Sequence, residues 1–311
     1  MAHPPGALDR HCRLTAMDHE HDLGPVPAPD VAGWALFESA VGAVLLVAAA
    51  GYALALWAAR DRSPWPARRS AAWFAGLGCA AAGLVGPLAA AAHTSFTAHM
   101  AGHLLAGMLG PLLLVLGSPV SLALRALPVT GARRLSRLLR TAVIRALTHP
   151  AVAGVLNLGG LWLLYATGLY PLMHSSALVH ALVHAHIVLA GYLFTASLVG
   201  ADPTPHRASI RVRSAVLVAF IAGHSILAKW LWASPPAGVA PDDGRAGAQL
   251  MYYGGDAIDV ALIVLLLHQW YVATRPRVSL GPASTGENYS ARPRRRRTMR
   301  ISPASPWQDD H

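Results

Sequence analysis

The sequence predicts an all-α membrane protein, a bundle of seven transmembrane helices with the N-terminus outside and the C-terminus in the cytoplasm. Three observations lead there. Of the 311 residues, 54% are hydrophobic and only 13% charged, and the mean hydropathy is +0.41; a water-soluble domain carries about twice that share of charge. Apolar runs recur at 34–59, 71–92, 99–122, 150–171, 177–200, 212–233 and 250–273, each near the ~20 residues a helix needs to cross a bilayer. The arginines gather in alternate connections between those runs, which is what cytoplasmic loops do.

Taken in order, residues 1–33 are rich in proline, histidine and acids with no apolar block, and read as a disordered, outward-facing tail rather than a signal peptide. The membrane domain occupies 34–273. Residues 274–311, with the basic run Arg294 to Arg297, read as a disordered cytoplasmic tail drawn to anionic lipid; no nucleic-acid partner is expected. Cys12 and Cys79 form no CxxC motif, so metal chemistry here would use His, Met and carboxylate.

Orientation follows from arginine placement. Arg60, Arg62, Arg68 and Arg69 follow the first run. Arg125, Arg133, Arg134, Arg137, Arg140 and Arg145 follow the third, and Arg207, Arg211 and Arg213 the fifth. More arginines follow the seventh, while only Arg10, Arg13 and Arg245 fall on the other side. Between Leu124 and Leu147 the arginines interleave with Leu, Val and Ile at helical spacing, the pattern of an amphipathic helix lying on the inner leaflet.

With that orientation, the polar residues within the runs collect at the outer end. Glu38 opens the first run from outside, His93 closes the second, and His99 and His103 open the third. His180 and His184 open the fifth, and Asp256 and Asp259 open the seventh. His224 lies just past the middle of the sixth, with Lys229 beyond it. Both histidine pairs have HxxxH spacing, which puts two side chains about 40° apart on one helix face. A single intramembrane histidine is commonly an interhelical hydrogen-bonding residue; two such pairs at matching depth point to a metal or proton site built from His99, His103, His180 and His184. His93, His224, Asp256 and Asp259 are candidate contributors. The two aspartates read equally as a polar helix start beside Gly254 and Gly255, or as carboxylates that orient imidazoles. Met100, Met173 and Met251 lie near the layer, and their thioethers suit Cu(I). The segment from Met17 to Asp22 offers further loose copper or zinc ligands. His186 points away from His184 by about 200° and is left out of the site, and His149, His206 and His268 read as structural.

These residues resemble the CtaG-like integral-membrane proteins, assembly factors for caa-type cytochrome c oxidase. The likeness rests on His99-Met-Ala-Gly-His103, Gly110-Pro-Leu-Leu-Leu-Val-Leu-Gly-Ser-Pro119, His149-Pro150, the pair His180 and His184, and Gly200-Ala-Asp-Pro203, and covers roughly 34–273. The resemblance implies a bacterial plasma-membrane protein that is no enzyme, partnered with oxidase subunits and the bilayer, with His99, His103, His180 and His184 as copper ligands. Two rivals use the same residues. A zinc-dependent intramembrane hydrolase would combine three His with Asp and need a well-placed serine or second acid, for which Ser95, Ser175 or Ser176 is the best on offer. A copper or proton transporter would need a polar path through the inner half, where the runs carry no matching chain.

The topology is directly testable. Reporter fusions after Arg69, Arg145 and Arg277 should each report cytoplasm; a periplasmic signal at any of them overturns the orientation.

Overall fold

In a computed structural model of the chain, residues 31–275 are described apart from 63 and 204–206. The two tails, including the Met17 to Asp22 segment, Cys12 and the Arg294 to Arg297 run, lie outside those residues, as does His206. Every regular element among the described residues is helical. Six helical stretches are long and apolar enough to cross a membrane, and a seventh is reached if one sharply bent pair counts as a single span.

The first is α1 (Val31–Ala58), an unbroken Ala, Val and Leu helix that stops before Pro64 and Pro66. The second joins α2 (Ala67–Leu84) to α3 (Pro87–Ala91). Gly86 breaks it at φ 81°, a conformation open to glycine, and Pro87 then supplies the first residue of the next helix. Ser95 caps α4 (Phe96–His103), accepting the Ala98 N–H at 3.3 Å. From Leu104 to Leu109 the third span widens into a π-helix before resuming as α5 (Gly110–Leu116). Pro111 lies just beyond, has no N–H to give, and interrupts ordinary i to i+4 pairing there.

The third span is the hub of the bundle, with 72% of its apolar stretch buried against 6% for α1. Close backbone approach makes this so. A Cβ on Gly83 would stand 2.7 Å from the Gly102 carbonyl oxygen, so the second and third spans meet glycine to glycine, the small-residue packing favoured between membrane helices.

The Leu124 to Leu147 region departs from the single amphipathic helix expected. It forms three pieces, α6 (Pro119–Ala126), α7 (Val129–Leu139) and α8 (Ala142–Leu147), because Pro128 cannot continue a helix and Thr141 restarts one as an N-cap. The fourth apolar run bends by 81° between α9 (Pro150–Ala166) and α10 (Leu169–Ser175). Thr167 Oγ1 bridges the break, donating to the Leu163 carbonyl at 2.6 Å and accepting the Leu169 N–H at 3.2 Å. The remaining helices are α11 (Ala177–Val199), α12 (Ile210–Ala233) and α13 (Pro241–Thr274). The last starts well before residue 250, the expected boundary, so its first turns carry Asp242, Asp243 and Arg245.

Two carboxylates pin helix starts at opposite ends of the bundle. Asp243 accepts from the Phe96 N–H (2.6 Å), the Thr97 N–H (3.1 Å), Thr97 Oγ1 (2.6 Å) and Ser95 Oγ (3.2 Å). Asp202 accepts from the N–H groups of Val120 (3.2 Å) and Ser121 (2.8 Å), and from Ser121 Oγ (2.6 Å). Each meets the orphan donors and positive end of a helix. Near Asp202, Arg213 donates to the Leu198 carbonyl (2.8 Å), and Gln269 donates to the Val199 carbonyl (2.7 Å) while accepting from Arg207 (2.6 Å).

Asp243→Ala should cost about 1–2 kcal/mol, as loss of a helix cap does, read as a lowered thermal midpoint in detergent. Asp242→Ala is the control: that side chain is fully exposed and pairs only with Arg245 at 3.5 Å, so its removal should leave the midpoint unchanged.

Candidate metal site

The alternation of helix directions brings the start of α1, the end of α3, the start of α4, α10 and the start of α11 to one end of the bundle, and their imidazoles meet there. His180 and His184, one turn apart on α11, stack with ring centres 4.0 Å apart. His93 lies 5.6 Å from His180 and 6.1 Å from His174, and His174 lies 5.9 Å from His99. Five rings thus form a continuous string running His99, His174, His93, His180, His184. Trp34 and Phe37 of α1 close one side, Trp34 at 4.7 Å from His93 and Phe37 at 4.9 Å from His180.

Hydrogen bonds set the chemistry of individual rings. His174 Nδ1 lies 2.9 Å from the Tyr170 carbonyl oxygen and His184 Nδ1 2.9 Å from that of His180. A carbonyl only accepts, so Nδ1 carries the proton in both rings and Nε2 presents a lone pair, the tautomer a metal ligand needs. His99 Nε2 lies 3.0 Å from Tyr165 Oη, and Tyr165 donates weakly to Met100 Sδ at 3.9 Å. Below the string, Met100, Met173 and Met251 are each 0% exposed and share one packed cluster with Phe96, Tyr165 and Tyr170. A cavity of about 420 Å³, lined in part by His93, Ser95, Tyr170, His174 and Asp243, leads to the string from the end of the bundle.

The four histidines expected to act together divide between two places. His99, His180 and His184 belong to the string, joined by His93. His103 stands one turn deeper, where its ring centre lies 6.2 Å from that of His224 with the ring planes 26° apart. Asp259 is buried on α13 four residues after Gly255, whose backbone packs on the His224 ring; Asp256 is half-buried. Among the described residues no three His, Cys, Asp or Glu side chains converge as a ready-made metal cage. The donor set suits an ion taken up by two ligands at a time better than one locked in a tetrahedron.

His174, Tyr165 and Tyr170 were missing from the sequence expectation. His174 falls between the fourth and fifth apolar runs, where only its closeness to His180 could have flagged it. The three serines considered as nucleophiles serve the backbone: Ser95 caps α4, Ser176 caps α11, and Ser175 donates to the Leu172 carbonyl at 3.0 Å. His186 lies outside the string and bonds the Leu156 carbonyl at 3.0 Å.

These features define a multi-pass helical membrane protein with imidazole side chains gathered at one end of its bundle. Residues 50–273 match the family described as cytochrome c oxidase caa3 assembly factor (Caa3_CtaG), and the chain belongs to that family. Relatives include uncharacterized proteins of Mycobacterium bovis (Mb0105), 38% identical over 193 residues, and of Mycobacterium leprae (ML1998), 33% identical over the same length. Each match covers 59% of this chain and 29% of the relative, so the chain spans less than a third of the curated proteins it resembles. No solved structure matches. The chain is a bacterial multi-pass membrane protein, and the family resemblance read from its histidine and glycine-proline motifs holds.

Proposed function

We propose that this chain assists assembly of cytochrome c oxidase by holding copper at the outer face of the plasma membrane and passing it to an oxidase subunit. The observation that carries the reading is the string of five imidazoles, open through a cavity at one end and floored by three buried methionines, in a chain of the oxidase assembly family. Imidazole and thioether are the ligands copper prefers, thioether above all for Cu(I). Rings spaced 4.0–6.1 Å apart let an ion exchange one ligand at a time along the string, and a cargo must be released as readily as it is caught. The arginine distribution supports an outward-facing histidine end, where oxidase copper domains are exposed.

Capture and handover rather than transport is supported by what lies deeper. Towards the arginine end, Asn157 and Thr195 line a cavity of about 10 Å³, room for about one water. A hydrolase is disfavoured by the engagement of Ser95, Ser175 and Ser176 in backbone bonding, and zinc by the scarcity of convergent ligands, since catalytic zinc takes three protein ligands and a water.

Cells lacking the protein should make oxidase apoprotein with incomplete copper centres, and added copper should restore part of the activity. Normal oxidase copper in the deletion strain at growth-limiting copper contradicts the reading.

A further inference from the structure

Three buried polar side chains are left over by the string. His103 on α4, His224 on α12 and Asp259 on α13 are 7%, 1% and 2% exposed. Both ring nitrogens of His103, Nε2 of His224 and both Asp259 oxygens have no hydrogen-bond partner among the described residues. Buried polar atoms are nearly always bonded, and one left without a partner carries an uncompensated desolvation cost. Five of them on three neighbouring helices call for an occupant.

The surroundings are shaped for these rings. A Cβ on Gly107 would stand 3.1 Å from His103 Nδ1, and one on Gly255 would stand 2.6 Å from His224 Cε1. Any larger residue at Gly255 would therefore displace the imidazole. Asp259 follows Gly255 by four residues and so occupies nearly the same face of α13, about 6 Å further along. The π-helix begins at Leu104, directly after His103; such segments interrupt the regular ladder and recur at functional sites.

We propose that His103 and His224 form a two-coordinate site for Cu(I), with Asp259 as its counter-charge, distinct from the string above it. Metal–imidazole bonds of about 2 Å set two rings that share one ion about 6 Å apart centre to centre, and these stand 6.2 Å apart. Two neutral imidazoles, one monovalent cation and one carboxylate sum to zero charge, the condition for burying an ion at hydrocarbon depth. A divalent ion would leave one charge uncompensated by this trio. It would also ask for further ligands, and among the described residues no three His, Cys, Asp or Glu side chains converge to supply them. The site deepens the copper reading and extends it from the end face into the bundle.

The test uses the purified full-length protein in detergent, titrated anaerobically with Cu(I) against a chromophoric Cu(I) chelator, with X-ray absorption reporting coordination. The wild type should bind Cu(I) with a two-coordinate nitrogen signature. His224→Gln and Asp259→Asn should each weaken that component at least about 10-fold, in the range seen when ligands or their orienting partners are lost. The double variant His180→Gln, His184→Gln, which cuts the string, should keep it. Asp259→Asn preserves shape and removes only the charge, so it carries the test where His224→Gln does not fold. Unchanged affinity and absorption in folded Asp259→Asn overturn the proposal. Loss of the two-coordinate signature in the string variant overturns the separateness of the two sites. A string variant with full Cu(I) binding, beside a deep-site variant with none, upholds this site and sinks the outer capture site instead.

Discussion

A polar group taken out of water must find a partner, and the bundle is arranged around that requirement. Where a partner is supplied, the group fixes architecture. Asp243 and Asp202 meet the exposed N–H groups at the starts of α4 and α6, and Arg213 with Gln269 satisfies the last carbonyls of α11. Where the partner is a carbonyl, as for His174 and His184, the bond selects a tautomer and frees one nitrogen for a ligand. Where none is supplied among the described residues, at His103 and His224 as at Asp259, Gly107 and Gly255 leave room for the two rings. The same physical cost thus separates structural polar groups from those available for chemistry.

The third span connects these effects. Its glycine contact with the second span lets the two helices approach at backbone distance, which draws His99 and His103 into the interior at 6% and 7% exposure. The two rings lie on nearly one helix face, yet a rise of about 6 Å between them changes their neighbours. His99 meets α9 and α10 through Tyr165 and His174; His103 meets α12 through His224. One HxxxH motif therefore serves two layers, and in the copper reading it stands where the outer string meets the deeper pair.

Much of the fold was legible in the sequence, because crossing a bilayer imposes a length and an apolarity that hydropathy reports directly. Boundaries were less legible. The early start of α13 is hidden because Asp242, Asp243 and Arg245 interrupt the apolar pattern, although the helix continues through them. The bend at Thr167 and Gly168 lies inside a run that reads as one span, and its stability depends on a threonine bridge that no periodicity signals. Of the site, the histidine-rich end and the family were readable from motif and depth. The division between His99 and His103 was not, since it depends on which helices lie alongside at each level. Nor was His174, which falls outside every apolar run and enters the string only because α10 turns back towards α11.

The proposed function requires copper at the histidine end of the bundle. The most direct test is the metal content of full-length protein purified from membranes of cells grown with both copper and zinc, measured by mass spectrometry for the wild type and for the double variant His180→Ala, His184→Ala. Copper in the wild type, reduced in the folded variant, is the result predicted. Stoichiometric zinc, or copper content indifferent to the loss of both imidazoles, would contradict it.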